Sequence, residues 1–133
     1  GNCLGYRVEF GGRRFAYVTD NELYPEDHDL FSPIYVKRLG EFVGDCDILI
    51  TDTSYTDEEY PKRMNWGHSA VSRVVDLARE AGVKKLYLYH HVPEHTDEDI
   101  DRMLEQANRR AAGSSLVCKA ALALETIRLN AES

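Results

Sequence analysis

The chain has 133 residues, of which 43% are hydrophobic and 29% are charged, and its formal net charge is −7. This length and composition predict one globular domain over residues 1–133, able to bury roughly two thirds of its unfolded surface. The negative charge argues against non-specific binding along a nucleic-acid backbone, and no apolar run approaches the ~20 residues that a membrane-spanning helix needs.

The cysteines indicate the compartment. Cys3, Cys46 and Cys118 are isolated in the sequence and form no Cys-x-x-Cys pair. This usage is typical of a reducing compartment, so we expect a cytoplasmic protein without disulfides. The chain begins Gly-Asn-Cys, without an initiator methionine or a signal peptide, which favours a processed or excised part of a longer protein.

The first predicted element is a β-hairpin. Apolar residues alternate through residues 4–10 and again through 13–19, and Gly11-Gly12 lies between the two runs. Two glycines can both adopt the positive φ that a tight hairpin turn requires. The second strand ends at Thr19-Asp20, which places a carboxylate directly after an apolar strand.

A helix and a second strand end follow. Ser32-Pro33 predicts the helix start and Gly44 its end, because Ser is a good N-cap and Pro fits the first turn. Ile48-Leu49-Ile50 reads as a short buried strand that carries Asp52 at its carboxyl end. Residues 56–59 match a capping box and predict a brief helical turn leading toward Pro61.

The next helix is strongly amphipathic. We interpret Ser69 as its N-cap, so His68 lies just before the helix, and Gly82 ends it. A histidine outside the packed face of a helix can point into a cleft. Thr96 predicts the start of a further helix, whose first turn is acidic as the helix dipole favours.

Between these two helices lies a buried strand that ends in imidazoles. The apolar run Leu86–Tyr89 stops at His90 and His91, and His95 follows four residues later. Ligands gather at the carboxyl ends of strands in open α/β sheets, and neutral imidazole is a common metal ligand. We interpret His95 as a loop residue near the Thr96 cap.

Together these patterns predict a site at one edge of the sheet. Asp20, Asp52 and His90 or His91 follow three strands, and His68 precedes a helix. Carboxylate and imidazole ligands suit zinc, manganese or iron. Ser54 or Ser69 with His and Asp would form a hydrolase triad instead, but no Gly-x-Ser-x-Gly motif supports that alternative, which therefore ranks below metal chemistry.

The order and spacing of five short segments resembles the carboxyl-terminal half of the metallo-β-lactamase superfamily. Its ribonuclease Z and phosphodiesterase branch is the most similar, and the resemblance runs from about Gly1 to Thr96. It implies an α/β fold: half of an αββα sandwich, with a mixed sheet and helices packed on one face. The segments are Gly5-Tyr6-Arg7, Thr19-Asp20, Thr51-Asp52-Thr53-Ser54-Tyr55, Gly67-His68-Ser69 and Leu88-Tyr89-His90.

The resemblance implies a role for each site residue. Asp20 would bridge two metal ions, and His90 would be the last histidine ligand. His91 would support His90 without binding the metal itself. His68 would face the substrate as a proton donor or phosphate contact. Asp52 would orient His68.

Three features depart from the family pattern. Ala70 stands where that branch often has Thr, and Asp52 where ribonuclease Z typically has Glu, and both argue against tRNA processing. The family's His-x-His-x-Asp-His motif does not occur in these residues. The expected partner is therefore an amino-terminal half that carries this motif and completes a site for two divalent metal ions, zinc first and manganese or iron as alternatives. Alone, the chain is expected to bind no metal and to be inactive.

Two functions from different classes remain open. The first is the carboxyl-terminal part of a metal-dependent hydrolase that cleaves a phosphodiester or similar ester with metal-activated hydroxide. The second is a non-catalytic interaction module, whose exposed sheet face would self-associate into a homo-oligomer or a strand-exchanged dimer, or bind another chain.

Overall fold

The fold is built on a five-stranded mixed sheet with the strand order β1-β2-β3-β4-β5. The computed structural model describes residues 5–19, 22–66, 68–89 and 95–121. β1 runs antiparallel to β2, and every other neighbouring pair is parallel. The strands are β1 (Gly5–Phe10), β2 (Arg13–Val18), β3 (Ile48–Asp52), β4 (Lys85–Tyr89) and β5 (Val117–Ala120).

The predicted hairpin is confirmed. Gly11 and Gly12 connect β1 to β2 with φ values of 56° and 77°. Both values lie in the left-handed region, which costs a glycine little because it has no Cβ.

The helices connect the parallel strands, as such crossovers require. Ser32 caps the first helix by accepting a hydrogen bond from the Tyr35 N–H, and Thr96 caps the last helix, as predicted. Thr96 also forms a capping box with Asp99. The turn at residues 56–59 also has its reciprocal bonds, between Thr56 and Glu59. The helices are α1 (Pro33–Val43), α2 (Tyr60–Arg63), α3 (Val71–Glu80) and α4 (Asp97–Ala111).

The prediction that Ser69 caps the third helix is wrong. Ala70 is the N-cap residue, and it offers no side-chain hydrogen bond. The Ser69 hydroxyl is buried and instead accepts a hydrogen bond from the Leu23 N–H at 3.0 Å. Asp57 caps the helix from outside, because its Oδ1 accepts from the Ser72 N–H at 3.0 Å. The carboxylate of Asp57, from a separate turn, therefore has the capping role that was expected of the Ser69 hydroxyl.

The main core lies on one face of the sheet. Side chains from α1, α3 and α4 enter the same apolar cluster as alternate residues of the strands, which places these helices on that face. The expected architecture, a mixed sheet with helices packed on one face, is therefore confirmed. The sheet residues of this cluster are Ala16, Val18, Leu49, Leu86, Leu88 and Cys118.

The opposite face of the sheet is also apolar. Ile48, Ile50 and Tyr87 form its buried centre. Toward the β1 edge the face opens to solvent, where Tyr6 is 59% and Phe10 76% exposed. A sheet apolar on both faces is typical of the middle of a layered fold, in which a second layer covers the open face.

Within the described part of the chain, no helix is both long and apolar enough to cross a bilayer.

Candidate active site

The central strand β3 ends in polar side chains that are buried. Asp52 and Ser54 are fully buried, as is Thr53 between them. The Thr53 N–H donates to the Tyr89 carbonyl at 2.9 Å, which ties the segment after β3 to the end of β4. Buried polar groups of this kind need partners, and here the partners come from the segment before α3.

That segment runs beside the end of β3. Tyr55 and Ala70 form an isolated parallel bridge. The Ser54 N–H donates to the Ser69 carbonyl at 3.2 Å, and the Val71 N–H donates to the Tyr55 carbonyl at 3.0 Å. These backbone bonds hold the segment in register and carry His68 to the carboxylate of Asp52.

His68 and Asp52 form a close pair. His68 Nδ1 lies 2.7 Å from Asp52 Oδ2, and the side chains are 20% and 0% exposed. The Ser54 hydroxyl donates to the other carboxylate oxygen, Oδ1, at 2.9 Å. The carboxylate is therefore held on both oxygens inside the protein, while part of the imidazole reaches the surface.

This arrangement sets the tautomer of the imidazole. An ionised carboxylate can only accept hydrogen bonds, so Nδ1 of His68 carries the hydrogen that it donates to Asp52. In the neutral ring Nε2 is then a hydrogen-bond acceptor, and in the protonated ring it is a donor. The pair is suited to move one proton at Nε2 while the buried carboxylate stabilises the charged ring.

The Tyr55 ring supports His68 from the side. The two ring centroids are 6.2 Å apart in an edge-to-face arrangement. Burial raises the pKa of the Tyr55 hydroxyl, with a smaller contribution in the same direction from Asp52. Tyr55 thus acts as a neutral wall that packs against the imidazole.

The structure does not favour a hydrolase triad built on Ser54 or Ser69. The Ser54 hydroxyl directs its hydrogen to Asp52, whereas a serine nucleophile would donate to the histidine. The Ser69 hydroxyl accepts a hydrogen bond from the Leu23 N–H and is fully buried, where a substrate cannot reach it.

The thiols of the core are no better candidates for a nucleophile. Cys46 and Cys118 are free and buried. Burial raises the pKa of the Cys118 thiol to about 11, which keeps it protonated at neutral pH.

The predicted metal ligands Asp20 and His90, and the supporting His91, lie outside the described residues. Their roles, like those of His68 and Asp52, stay predictions. Across residues 5–19, 22–66, 68–89 and 95–121, no three His, Cys, Asp or Glu side chains form a group able to hold a metal ion. The described strands β2 and β4 flank β3 on either side and run parallel to it.

A second His–carboxylate pair was missed by the sequence reasoning. His95 Nε2 lies 2.8 Å from Glu59 Oε2, with side chains 7% and 41% exposed. Burial alone would raise the pKa of Glu59, but hydrogen bonds from His95 and Thr56 outweigh it and lower that pKa. Nδ1 of His95 is buried and has no partner among the described residues. His95 is therefore a packed side chain, and the interpretation as an ordinary loop residue understated its role.

The sheet, the helices on one face and the His–Asp pair at the end of the central strand define an α/β protein with a strand-end site. Residues 1–91 match the family described as "Beta-lactamase superfamily domain". Ribonuclease Z of Thermoplasma acidophilum is 36% identical over 99 residues, which cover 74% of this chain and 27% of that protein. Ribonuclease Z of Archaeoglobus fulgidus is 33% identical over 98 residues, with 74% and 28% covered.

A solved structure shows the same fold. The metallo-β-lactamase fold protein YhfI from Bacillus subtilis aligns with a TM-score of 0.62 at 17% identity, covering 86% of this chain and 39% of that one. The chain belongs to the metallo-β-lactamase superfamily, which confirms the predicted resemblance. It spans about a quarter of the length of the curated relatives named above.

Proposed function

We propose that this chain is the carboxyl-terminal part of a metal-dependent hydrolase that cleaves a phosphodiester or a similar ester. The observation that carries the proposal is the pair formed by His68 and Asp52, 2.7 Å apart at the end of the central strand. The relatives named ribonuclease Z support a phosphodiester as the substrate.

In this proposal His68 serves the leaving group. Its Nδ1 is engaged by Asp52, so Nε2 is the atom that can deliver a proton to the departing oxygen. Asp52 is fully buried and stabilises the protonated ring without needing to take the proton itself. Its second oxygen is held by Ser54, which prevents the carboxylate from rotating away.

Two divalent metal ions would complete the site, with Asp20 and His90 as the ligands from this chain. A carboxylate and an imidazole suit zinc, and also manganese or iron. Asp52 accepts one hydrogen bond from Ser54 and pairs with His68, so we assign it to the orientation of His68 rather than to a metal ion. When bound, such ions lower the pKa of a coordinated water to about 7 and polarise the scissile group.

The remaining ligands would come from a partner segment, the amino-terminal half with its His-x-His-x-Asp-His motif. We propose that this half packs on the open face of the sheet, where Tyr6 and Phe10 are exposed. This chain alone would then be inactive. The free, buried Cys46 and Cys118 support a cytoplasmic location.

The test is an assay of the polypeptide that joins this chain to such an amino-terminal half. A chromogenic phosphodiester with added zinc or manganese should be hydrolysed, and Asp20→Ala and His90→Ala should abolish turnover. Glu58→Ala, an exposed acid on the turn before α2, serves as the matched control and should retain it. Unchanged turnover in Asp20→Ala or His90→Ala would overturn the assignment.

The exposed aromatic edge favours a second function, that of an interaction module. Tyr6, Val8 and Phe10 lie on one face of β1, and all are exposed. A contiguous apolar edge of this kind can pair with a second copy, giving a homo-oligomer or a strand-exchanged dimer. Light scattering distinguishes the two functions: a dimer that Phe10→Glu dissociates supports the module, and a monomer argues against it.

A further inference from the structure

We propose that Trp66 and Arg63 form a subsite that stacks on a nucleobase and pairs with its phosphate, beside His68. The inference rests on the proposed phosphodiester hydrolysis and deepens it, since it assigns the substrate group that lies next to the proton donor. Neither residue is part of the predicted metal or proton-transfer set.

The first observation is the exposure of Trp66. Its side chain is 60% exposed although it lies only two residues before His68 in the sequence. The Arg63 guanidinium carbon lies 4.6 Å from the centroid of the Trp66 ring. Arg63 therefore covers part of the ring, and the exposed remainder offers a flat surface of the kind on which bases stack.

The second observation is the charge of Arg63. It forms no ion pair with any acid in the described part of the chain, although the net charge of the chain is −7. Its charge also reaches Tyr55, whose pKa it pulls downward against the larger effect of burial. Tyr55 in turn contacts the His68 ring, so the charge of Arg63 acts on the aromatic ring that packs against the imidazole.

The third observation is the rigid turn that presents the indole. Asn65 has a φ of 74°, in the left-handed region that asparagine adopts more readily than most residues other than glycine. Glu22 Oε2 accepts the Asn65 N–H at 2.8 Å, and the Tyr24 hydroxyl donates to Asn65 Oδ1 at 3.0 Å. The Trp66 N–H closes the turn on the Arg63 carbonyl at 3.1 Å. Because hydrogen bonds hold the backbone of this turn, binding to the exposed ring costs little conformational entropy.

These properties identify the ligand by its chemistry. A planar ring fits the exposed indole, and an attached phosphate fits the unpaired guanidinium. A nucleoside monophosphate combines both groups, and a phosphate on a sugar without a base offers only one of them. The subsite would therefore place the base of one nucleotide beside the scissile linkage.

Because Trp66 is the single tryptophan of the chain, its fluorescence reports on this subsite directly. Titration with adenosine 5′-monophosphate, without metal, should quench the emission, and calorimetry should give an affinity at least about tenfold tighter than for ribose 5-phosphate. Trp66→Ala should remove that advantage and Trp66→Phe should retain part of it. Arg63→Gln should weaken both ligands about equally, whereas the neighbouring exposed Lys62→Gln should leave both unchanged.

Equal affinity for the two ligands, or an advantage that survives Trp66→Ala, would overturn the subsite. The experiment needs neither metal nor turnover, so its failure is distinct from a failure of the proposed hydrolysis. If the nucleotide titration fails, the result of the Asp20→Ala and His90→Ala assay is not affected. If those two variants keep their turnover, the result of the nucleotide titration is not affected.

Discussion

The molecule contains two His–carboxylate pairs of nearly equal length and opposite burial. His68 and Asp52 are 2.7 Å apart, with the carboxylate buried and the imidazole partly exposed. His95 and Glu59 are 2.8 Å apart, with the imidazole buried and the carboxylate partly exposed. In the first pair the imidazole is the more exposed group, and in the second pair the carboxylate is.

The difference indicates what each pair can do. A buried carboxylate behind an accessible imidazole fixes the tautomer and makes Nε2 the ring nitrogen that gains or loses a proton. A buried imidazole behind an accessible carboxylate has no such nitrogen at the surface, and it ties the α2 turn to the start of α4. We therefore expect the first pair to control turnover and the second to contribute to stability without affecting turnover.

The largest expected effect comes from the carboxylate of the first pair. In the polypeptide joined to its amino-terminal half, Asp52→Asn should lower kcat by about 10²- to 10⁴-fold, because the amide no longer enforces the tautomer or stabilises the protonated ring. Steady-state kinetics on a phosphodiester measure this. The matched change Glu59→Gln should alter kcat less than about threefold, and a similar loss in both variants would erase the distinction between the pairs.

The second pair should contribute measurably to stability. His95→Ala removes a buried ring and leaves the Glu59 carboxylate without its main partner, so the free energy of unfolding should fall by about 2–3 kcal/mol. Glu58→Ala removes an exposed acid from the same turn and should cost less than about 1 kcal/mol. Urea unfolding compares the two, and the opposite ranking would contradict the assignment.

The smallest effect is the pH dependence of the second pair. The pKa of Glu59 is lowered in the folded protein, because hydrogen bonds from His95 and Thr56 outweigh the effect of burial. A depressed pKa contributes stability that is present above the ordinary pKa of about 4.3 and is lost as the pH falls through the folded value.

Between pH 6 and pH 3, Glu59→Gln should therefore lose less stability than the parent protein. The difference should be under about 1 kcal/mol because the side chain is 41% exposed. Glu58→Gln, an exposed neighbour bonded to Gln106, is the control. Parallel curves for Glu59→Gln and the parent would show that the pair adds no acid-sensitive stability.

Local signals in the sequence predicted much of the fold. Gly11-Gly12 specified the hairpin, and the caps at Ser32 and Thr96 specified two helix starts, because each feature depends on residues at most three positions apart. Ser69 was misassigned because Asp57, from a separate turn, supplies the cap and Leu23 recruits the hydroxyl. A local pattern cannot show such exchanges between distant segments.

The two pairs show the same limit. The strand-end pattern placed Asp52 and His68 at the same edge of the sheet, but only the family resemblance linked them directly, since their 16-residue separation does not predict contact. His95 and Glu59 lie 36 residues apart, outside the family motifs, and were not linked at all. Tertiary packing joins both pairs, and only a comparison or a structure shows it.

One measurement tests the central claim most directly: the dependence of His68→Ala on the leaving group, in the polypeptide joined to its amino-terminal half. If His68 protonates the departing oxygen, the variant should lose about 10²-fold or more in kcat on an alkyl phosphodiester and only a few-fold on a p-nitrophenyl diester, whose leaving group needs no proton. His95→Ala should show equal, small losses on both substrates. Equal losses on the two substrates for His68→Ala would contradict the account.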